Sequence, residues 1–408
     1  MSNREMSELP GDTDRATVNR RKFLRGAAAG IAALGSVTTT AAAHTEERYT
    51  TALRGSGDSA ATRALPYGAI YIPARAWNAY QMWQHYDSDI TKRDLRFARS
   101  LRLNALRVWL SYEFWLKDPA ALRQRFAHFL NSCHEVGIKV LPVLFEGDGV
   151  EPTAAHIADS HPLTASDLLS PASPIVMNHR LWHGPVKYLD WFMDHYRNDH
   201  RLLAIEVQNE PWGAARHRFA EAMMRHAAKH RGTAALSIGG ANLKQSVAFI
   251  DAGADVLQTH PDFPTSVEAA RRTLHETIMA EKSLKKPVWV TEWQRIRTGG
   301  SGWGSKGLTG NQWEPDYASM APMIRAKPVG SFFWSLMLKP AWLLAQRGKG
   351  TLNGVFHEDG AVWSLRDARA ISGNGIFQAV ERPAWPHWAQ AIPQSLGMPL
   401  KVGKRWSK

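Results

Sequence analysis

Short apolar runs recur along the chain at Ala69 to Ala76, Ala105 to Tyr112, Lys139 to Phe145, Leu202 to Asn209, Ala234 to Gly239, Val256 to His260, Val288 to Glu292 and Gly330 to Leu336. Each is rich in β-branched or aromatic residues and has the length of a buried strand. Between most of them the apolar positions repeat at three and four residues, which is the period of a helix with one buried face. Pro119 to Val136 shows this best, with Leu122, Phe126, Phe129, Leu130 and Cys133 on one stripe and Gly137 where a C-cap glycine belongs. Thr91 to Leu101, Val186 to Tyr196, Phe219 to Lys229, Ser266 to Lys282 and Tyr317 to Ala326 continue the alternation.

Strand and helix alternating about eight times predict parallel βα units closed into a (β/α)8 TIM barrel, an α/β fold in a single domain over 66–408 with a C-terminal extension. A doubly wound open sheet would carry a glycine-rich phosphate turn after its first strand, and Ile72-Pro73-Ala74-Arg75-Ala76 has no glycine. In a barrel the active site forms at the C-terminal ends of the strands. Arg107, Glu146, Asn209, Glu210, His260, Glu292 and Trp334 all fall near such ends. Two long connections, 146–181 and 337–364, are expected to shape the cleft, and the proline-rich end of the chain to pack over the barrel's outside.

Two of these positions stand out. The run ending Val207-Gln208-Asn209-Glu210-Pro211 delivers an amide and a carboxyl group to a tip where proline stops the strand, and Val288-Trp289-Val290-Thr291-Glu292 repeats the pattern at the seventh strand. Paired carboxylates across a barrel mouth match the needs of glycosidic cleavage: one protonates the leaving oxygen and the other attacks or stabilises the anomeric carbon. Arg107 is expected to hold Glu292 ionised, while a less polar setting keeps Glu210 protonated. Asn209 is a candidate partner for a sugar 2-hydroxyl, and Trp334, Trp293 and Trp212 are candidate stacking surfaces.

The first residues change where the protein is expected to work. Asn19-Arg20-Arg21-Lys22-Phe23-Leu24, the Ala/Gly-rich stretch after it and Ala41-Ala42-Ala43 resemble a twin-arginine (Tat) export signal over 1–43, followed by a polar linker over 44–65. That resemblance implies passage through the Tat machinery and a periplasmic or extracellular location. No later run is long and apolar enough to span a bilayer, so no stable membrane insertion of the mature protein is expected. The single cysteine, Cys133, excludes an intrachain disulfide.

Net charge is +13, of which the first 43 residues contribute +2. The basic residues are scattered rather than interleaved with aromatics, so nucleic-acid binding is not expected. Seventeen histidines raise the question of metal, but none forms a His-x-x-x-His pair with an acidic partner on the same helix. No metal and no cofactor are expected.

Asn209-Glu210-Pro211 ending a fourth strand and Glu292 ending a seventh resemble glycoside hydrolase clan A, and most closely its family five, the cellulase-like retaining enzymes. Asn104-Ala105-Leu106-Arg107-Val108 resembles that family's second strand, His260 its sixth and Phe332-Phe333-Trp334 its eighth. The resemblance implies Glu210 as acid/base, Glu292 as nucleophile, and a β-linked glycan or oligosaccharide as substrate. The chain departs from the pattern at Phe145-Glu146-Gly147-Asp148, where relatives carry a histidine, and after His260, where Pro261, Asp262 and Phe263 replace an expected tyrosine. Subfamily and sugar stay open, as do two alternatives: a transglycosylase on the same barrel and a carbohydrate-binding barrel without turnover.

Overall fold

The computed structural model describes residues 65–296 and 313–401. The proposed export signal and all but the last residue of the linker lie outside them. Eight parallel strands form one sheet: β1 (Tyr67–Ile70), β2 (Ala105–Trp109), β3 (Lys139–Glu146), β4 (Ala204–Asn209), β5 (Ala235–Gly239), β6 (Leu257–Thr259), β7 (Val288–Trp293) and β8 (Ser331–Phe333). β1 pairs with both β2 and β8, and a bridge between Ser237 and Val256 joins β5 to β6, so the sheet closes into the expected (β/α)8 barrel. β2, β4 and β7 are buried throughout, since helices cover one face and the barrel interior the other.

The helices obey local rules readable in the sequence. Asp118 caps Pro119–Glu135 by accepting from the Ala121 amide, Pro119 occupies the first turn, and Gly137 takes a positive φ of 70° just past the end. Its apolar stripe lies in the core, where the Phe126 ring meets Trp83, Phe192 and Tyr196. Phe126→Ala would leave a cavity costing about 3–5 kcal/mol.

Three features depart from the sequence expectation. The first connection holds an extra helix, Ala79–Gln84, capped by Asn78. Trp77 and Trp83, beside and within it, are core residues. The connection after β8 contains a small antiparallel pair, β9 (Lys339–Pro340) and β10 (Leu352–Asn353). The end of the chain packs against that pair and the strand-end loops, not over the barrel's outer helices: Trp385 meets Trp313 at 5.7 Å, and Trp388 meets Trp77 at 5.7 Å. Among the described residues, no helix is long and apolar enough to cross a membrane.

Candidate active site

The site is built around two charges that sit inside otherwise apolar strands. Arg107 of β2 and Glu206 of β4 are both fully buried and form a bidentate pair, with Nε to Oε2 at 2.7 Å and Nη2 to Oε1 at 2.5 Å. Two of the remaining guanidinium donors reach Glu292 Oε1 at 2.6 Å and Asn209 Oδ1 at 2.8 Å. Glu206 also accepts from Gln258 Nε2 at 3.0 Å. Four of the five donors of the buried cation are thus engaged, and removing one partner of such a network typically costs about 3–5 kcal/mol.

Strict alternation would send Glu206 and Asn209 to opposite faces of β4. A register irregularity against β5 between these two residues turns both toward Arg107. The next residue, Glu210, has a positive φ of 38°, a left-handed conformation uncommon for a side chain of its kind. A second irregularity, between Val290 and Trp293, flanks Glu292 on β7. Both strand tips are therefore bent where they present a carboxyl group.

The two carboxyl groups and His260 present oxygen and nitrogen atoms that all lie within 4.8 Å of one another. Their surroundings differ. Glu292 accepts directly from Arg107. Glu210 has no guanidinium partner: Trp212 Nε1 donates to Oε2 at 3.0 Å, His260 Nδ1 lies 2.7 Å from Oε1, and the Asp148 carboxyl group is a further hydrogen-bond neighbour. Burial lowers the His260 pKa to about 4, so the ring is neutral near pH 7, with Nε2 held 3.0 Å from Thr291 Oγ1.

Burial raises both glutamates above the ordinary carboxylate range. For Glu292 this corrects the expectation that Arg107 would dominate: desolvation is the larger effect, opposed by His260 and Arg107. Two carboxylates this close resist ionising together, so the pair retains one proton into higher pH. The direct Arg107 bond favours the charge on Glu292 and the proton on Glu210.

Further acids surround the pair. Burial raises Glu146, Asp167 and Asp262. It raises Asp148 to about 7, reinforced by its closeness to Glu210. Glu146 accepts from Asn209 Nδ2 at 3.0 and 3.1 Å and from the Asp148 amide at 2.8 Å. The Asn209 amide is therefore committed on both sides, to Arg107 and to Glu146.

A recess of about 460 Å³ is lined by both glutamates, Glu146, Asn209, Trp334 and Trp342 among others. It adjoins a wider one of about 880 Å³ beside Trp212, Asn242 and His260. Trp212 is 48% exposed and offers a face to that space. Trp293, expected as a stacking surface, is fully buried against Tyr317 and Phe333 and lines neither recess, because it follows Glu292 on the strand and points the other way. Sequence reading missed Glu206, Gln258 and Trp109, whose ring centroid lies 4.5 Å from the Arg107 guanidinium. A carboxylate in the middle of an apolar strand, matched by an arginine in another, was the available signal for Glu206.

The walls differ as well. Trp77 Nε1 donates to Ser160 O at 3.2 Å and Gln81 Nε2 to Asp159 O at 2.8 Å, tying the connection after β1 to that after β3. Arg347 donates to the carbonyls of Pro162 and Ala165 from the connection after β8, and Lys339 to that of Ala76. Three loops are thus stitched into one wall on the β1, β3 and β8 side. On the helix Gly213–Lys229, Arg216 is buried and donates to the Glu146 and Pro171 carbonyls, so it supports this site and is not part of a basic surface.

No family model matches the chain, and no curated protein matches it. Solved structures do. An exo-β-1,4-mannosidase from Opitutaceae bacterium strain TAV5 superposes with a TM-score of 0.57 at 18% identity, covering 83% of this chain. This chain spans 61% of that protein's length. A GH5_18 protein from Bifidobacterium longum gives a TM-score of 0.54 at 14% identity, covering 76% of this chain and 78% of that one. The endo-1,4-β-D-mannanase of Thermotoga petrophila RKU-1 gives 0.51 at 12% identity, covering 76% and 98%. At these identities the likeness is one of fold, and the chain shares the (β/α)8 barrel with these glycoside hydrolases.

Proposed function

We propose that this chain is a retaining glycoside hydrolase acting on β-linked glycans or oligosaccharides. The observation that carries the reading is the pair of glutamates, with oxygens within 4.8 Å of each other and Arg107 bound to only one of them. Retaining enzymes hold their carboxyl groups roughly 5 to 5.5 Å apart, whereas inverting ones leave space for a water at about 6.5 to 9.5 Å.

In the proposed reaction Glu292 attacks the anomeric carbon as Glu210 gives its proton to the departing oxygen, leaving the sugar esterified to Glu292. Glu210, now ionised, takes a proton from water, and the resulting hydroxide equivalent displaces Glu292 from the same carbon. His260 follows this cycle without changing charge. Opposite protonated Glu210, its Nδ1 accepts from the carboxyl group and its Nε2 donates to Thr291 Oγ1. Arg107, positioned by Glu206, keeps Glu292 aligned and charged for attack.

The leaving group belongs on the Glu210 side, where the wider recess beside Trp212 and Asn242 opens. The stitched loops supply Trp342, Leu343 and Gln346 to the narrower recess and shorten the space beyond the bond being cut. Release of short units from chain ends follows from that arrangement. β-Mannosides are the first substrates to assay, given the mannosidase and mannanases of similar fold. Export by the Tat route is part of the proposal and rests on the twin-arginine stretch alone; replacing Arg20 and Arg21 with lysine should trap the protein in the cytoplasm, and unchanged export would reject it. For the reaction, proton NMR of fresh hydrolysis should show the β-anomer first. An α-anomer formed first would overturn the retaining mechanism.

A further inference from the structure

A second group of candidate ligands lies on the outer helical layer, away from the two glutamates. Helix His183–Tyr196 precedes β4 and helix Gly213–Lys229 follows it. His226 lies in the last turn of the second helix and His230 is its C-cap residue, so the i, i+4 spacing stacks the two rings on one face with centroids 4.7 Å apart. Asp190, on the first helix, points one oxygen at both: Oδ1 is 2.6 Å from His226 Nε2 and 4.0 Å from His230 Nε2. The His-x-x-x-His spacing was present in the sequence, but its acidic partner comes from another helix and only the fold supplies it.

We propose that Asp190, His226 and His230 form a binding site for a divalent transition-metal ion, with Zn²⁺ as its natural occupant. Imidazole and carboxylate donors suit this ion, which binds nitrogen and oxygen at about 2.0–2.2 Å with tetrahedral geometry. Ligand atoms around such an ion lie about 3.3 Å apart. The observed 2.6 and 4.0 Å bracket that value, and all three ligand atoms lie within 4.8 Å of one another, so side-chain adjustment brings them around one ion. His226 moves its ring proton from Nε2 to Nδ1, His230 presents a free Nε2, and solvent takes the fourth position. The helix C-terminus adds its own preference for positive charge at this point.

The ion would staple together the two helices that pack behind β4, the strand that carries Glu210. It touches neither reacting carboxyl group, so its role is in stability and not in turnover. The test uses the full mature chain without an affinity tag, titrated with Zn²⁺ alone and, as a spectroscopic probe, Co²⁺ alone. One Zn²⁺ per chain should bind with low-micromolar affinity and raise Tm by about 2 °C, and Co²⁺ should give the visible absorption of a tetrahedral complex. The His226→Ala/His230→Ala variant should lose binding at least tenfold and show no rise in Tm, while glycosidase activity stays unchanged. Failure of the wild type to bind at 100-fold excess, or equal binding by the double variant, would overturn the proposal; a complete lack of glycosidase activity would leave it standing.

Discussion

The tips of β4 and β7 present the same side chain to the same recess, and their difference lies in what stands behind each. Both strands are irregular next to their glutamate, and both carboxyl groups are nearly buried. Glu292 receives a guanidinium that is itself anchored by Glu206, whereas Glu210 receives an indole N–H and a neutral imidazole. Two identical side chains thereby have unlike surroundings, set by residues outside the pair. Burial raises both; Arg107 bonds Glu292 alone, whereas Trp212 and Asp148 stand beside Glu210.

Removing either glutamate has the largest expected effect, and the two should differ in kind. Glu292→Gln should lower kcat by about 10⁴-fold or more on every substrate, because no ester can form. Glu210→Gln should cost about 10²–10⁴-fold on a natural glycan but little on the glycosylation step of a dinitrophenyl glycoside, whose leaving group needs no proton. Equal losses on both substrate types, measured for both variants, would erase the proposed asymmetry.

Next comes the support of Glu292. Arg107→Lys keeps a charge and loses the fork that binds Glu206 and Glu292 together, so kcat/KM should fall about 100-fold. Without that bond Glu292 becomes harder to ionise, and the acid limb of the pH–rate profile should move to higher pH. A profile that only drops in height would assign Arg107 a structural role.

His260→Ala should cost about tenfold, and the wild-type profile should show no inflection from the ring between pH 5 and 8, since its pKa is about 4. An imidazole titration found by NMR in that window would contradict the neutral-ring cycle.

Asp148 tests the tip of β4 through stability. Its carboxyl is raised to about 7 in the folded chain, above the value of about 3.9 expected when unfolded. The folded state therefore holds the proton more tightly, and this contribution makes stability fall as pH rises through the interval between those values. Asp148→Asn should flatten the fall in Tm between pH 4 and 7; an unaltered slope would remove Asp148 from the account. The smallest effect belongs to Trp212→Phe. It deletes the donor that favours ionised Glu210, so the alkaline limb should shift upward by about half a unit with less than a threefold change in kcat/KM.

Much of this was legible in the chain. Apolar runs located all eight strands, because strands buried on both faces leave a plain signal, although the first strand, Tyr67–Ile70, precedes most of its run; the three-and-four-residue period located the main helices. Glu210, Glu292 and Arg107 stood out because each sits at or near a strand end, and the barrel brings them together. What escaped depends on register. The irregularity that turns Asn209 and Glu206 to one face has no local signature, whereas the burial of Trp293 follows from alternation one position beyond Glu292. The commitment of Asn209 to Glu146, and the stitching of three loops by Arg347 and Gln81, come from residues far apart in sequence that only the closed barrel brings together.

Covalent trapping reads directly whether the two glutamates have unequal roles. Incubation with dinitrophenyl 2-deoxy-2-fluoro-β-glycosides of the manno and gluco series, followed by proteolysis and mass spectrometry, reads which carboxyl group carries the sugar. The account predicts a single glycosylated residue, Glu292, and no label on Glu210. A sugar found on Glu210 would contradict it.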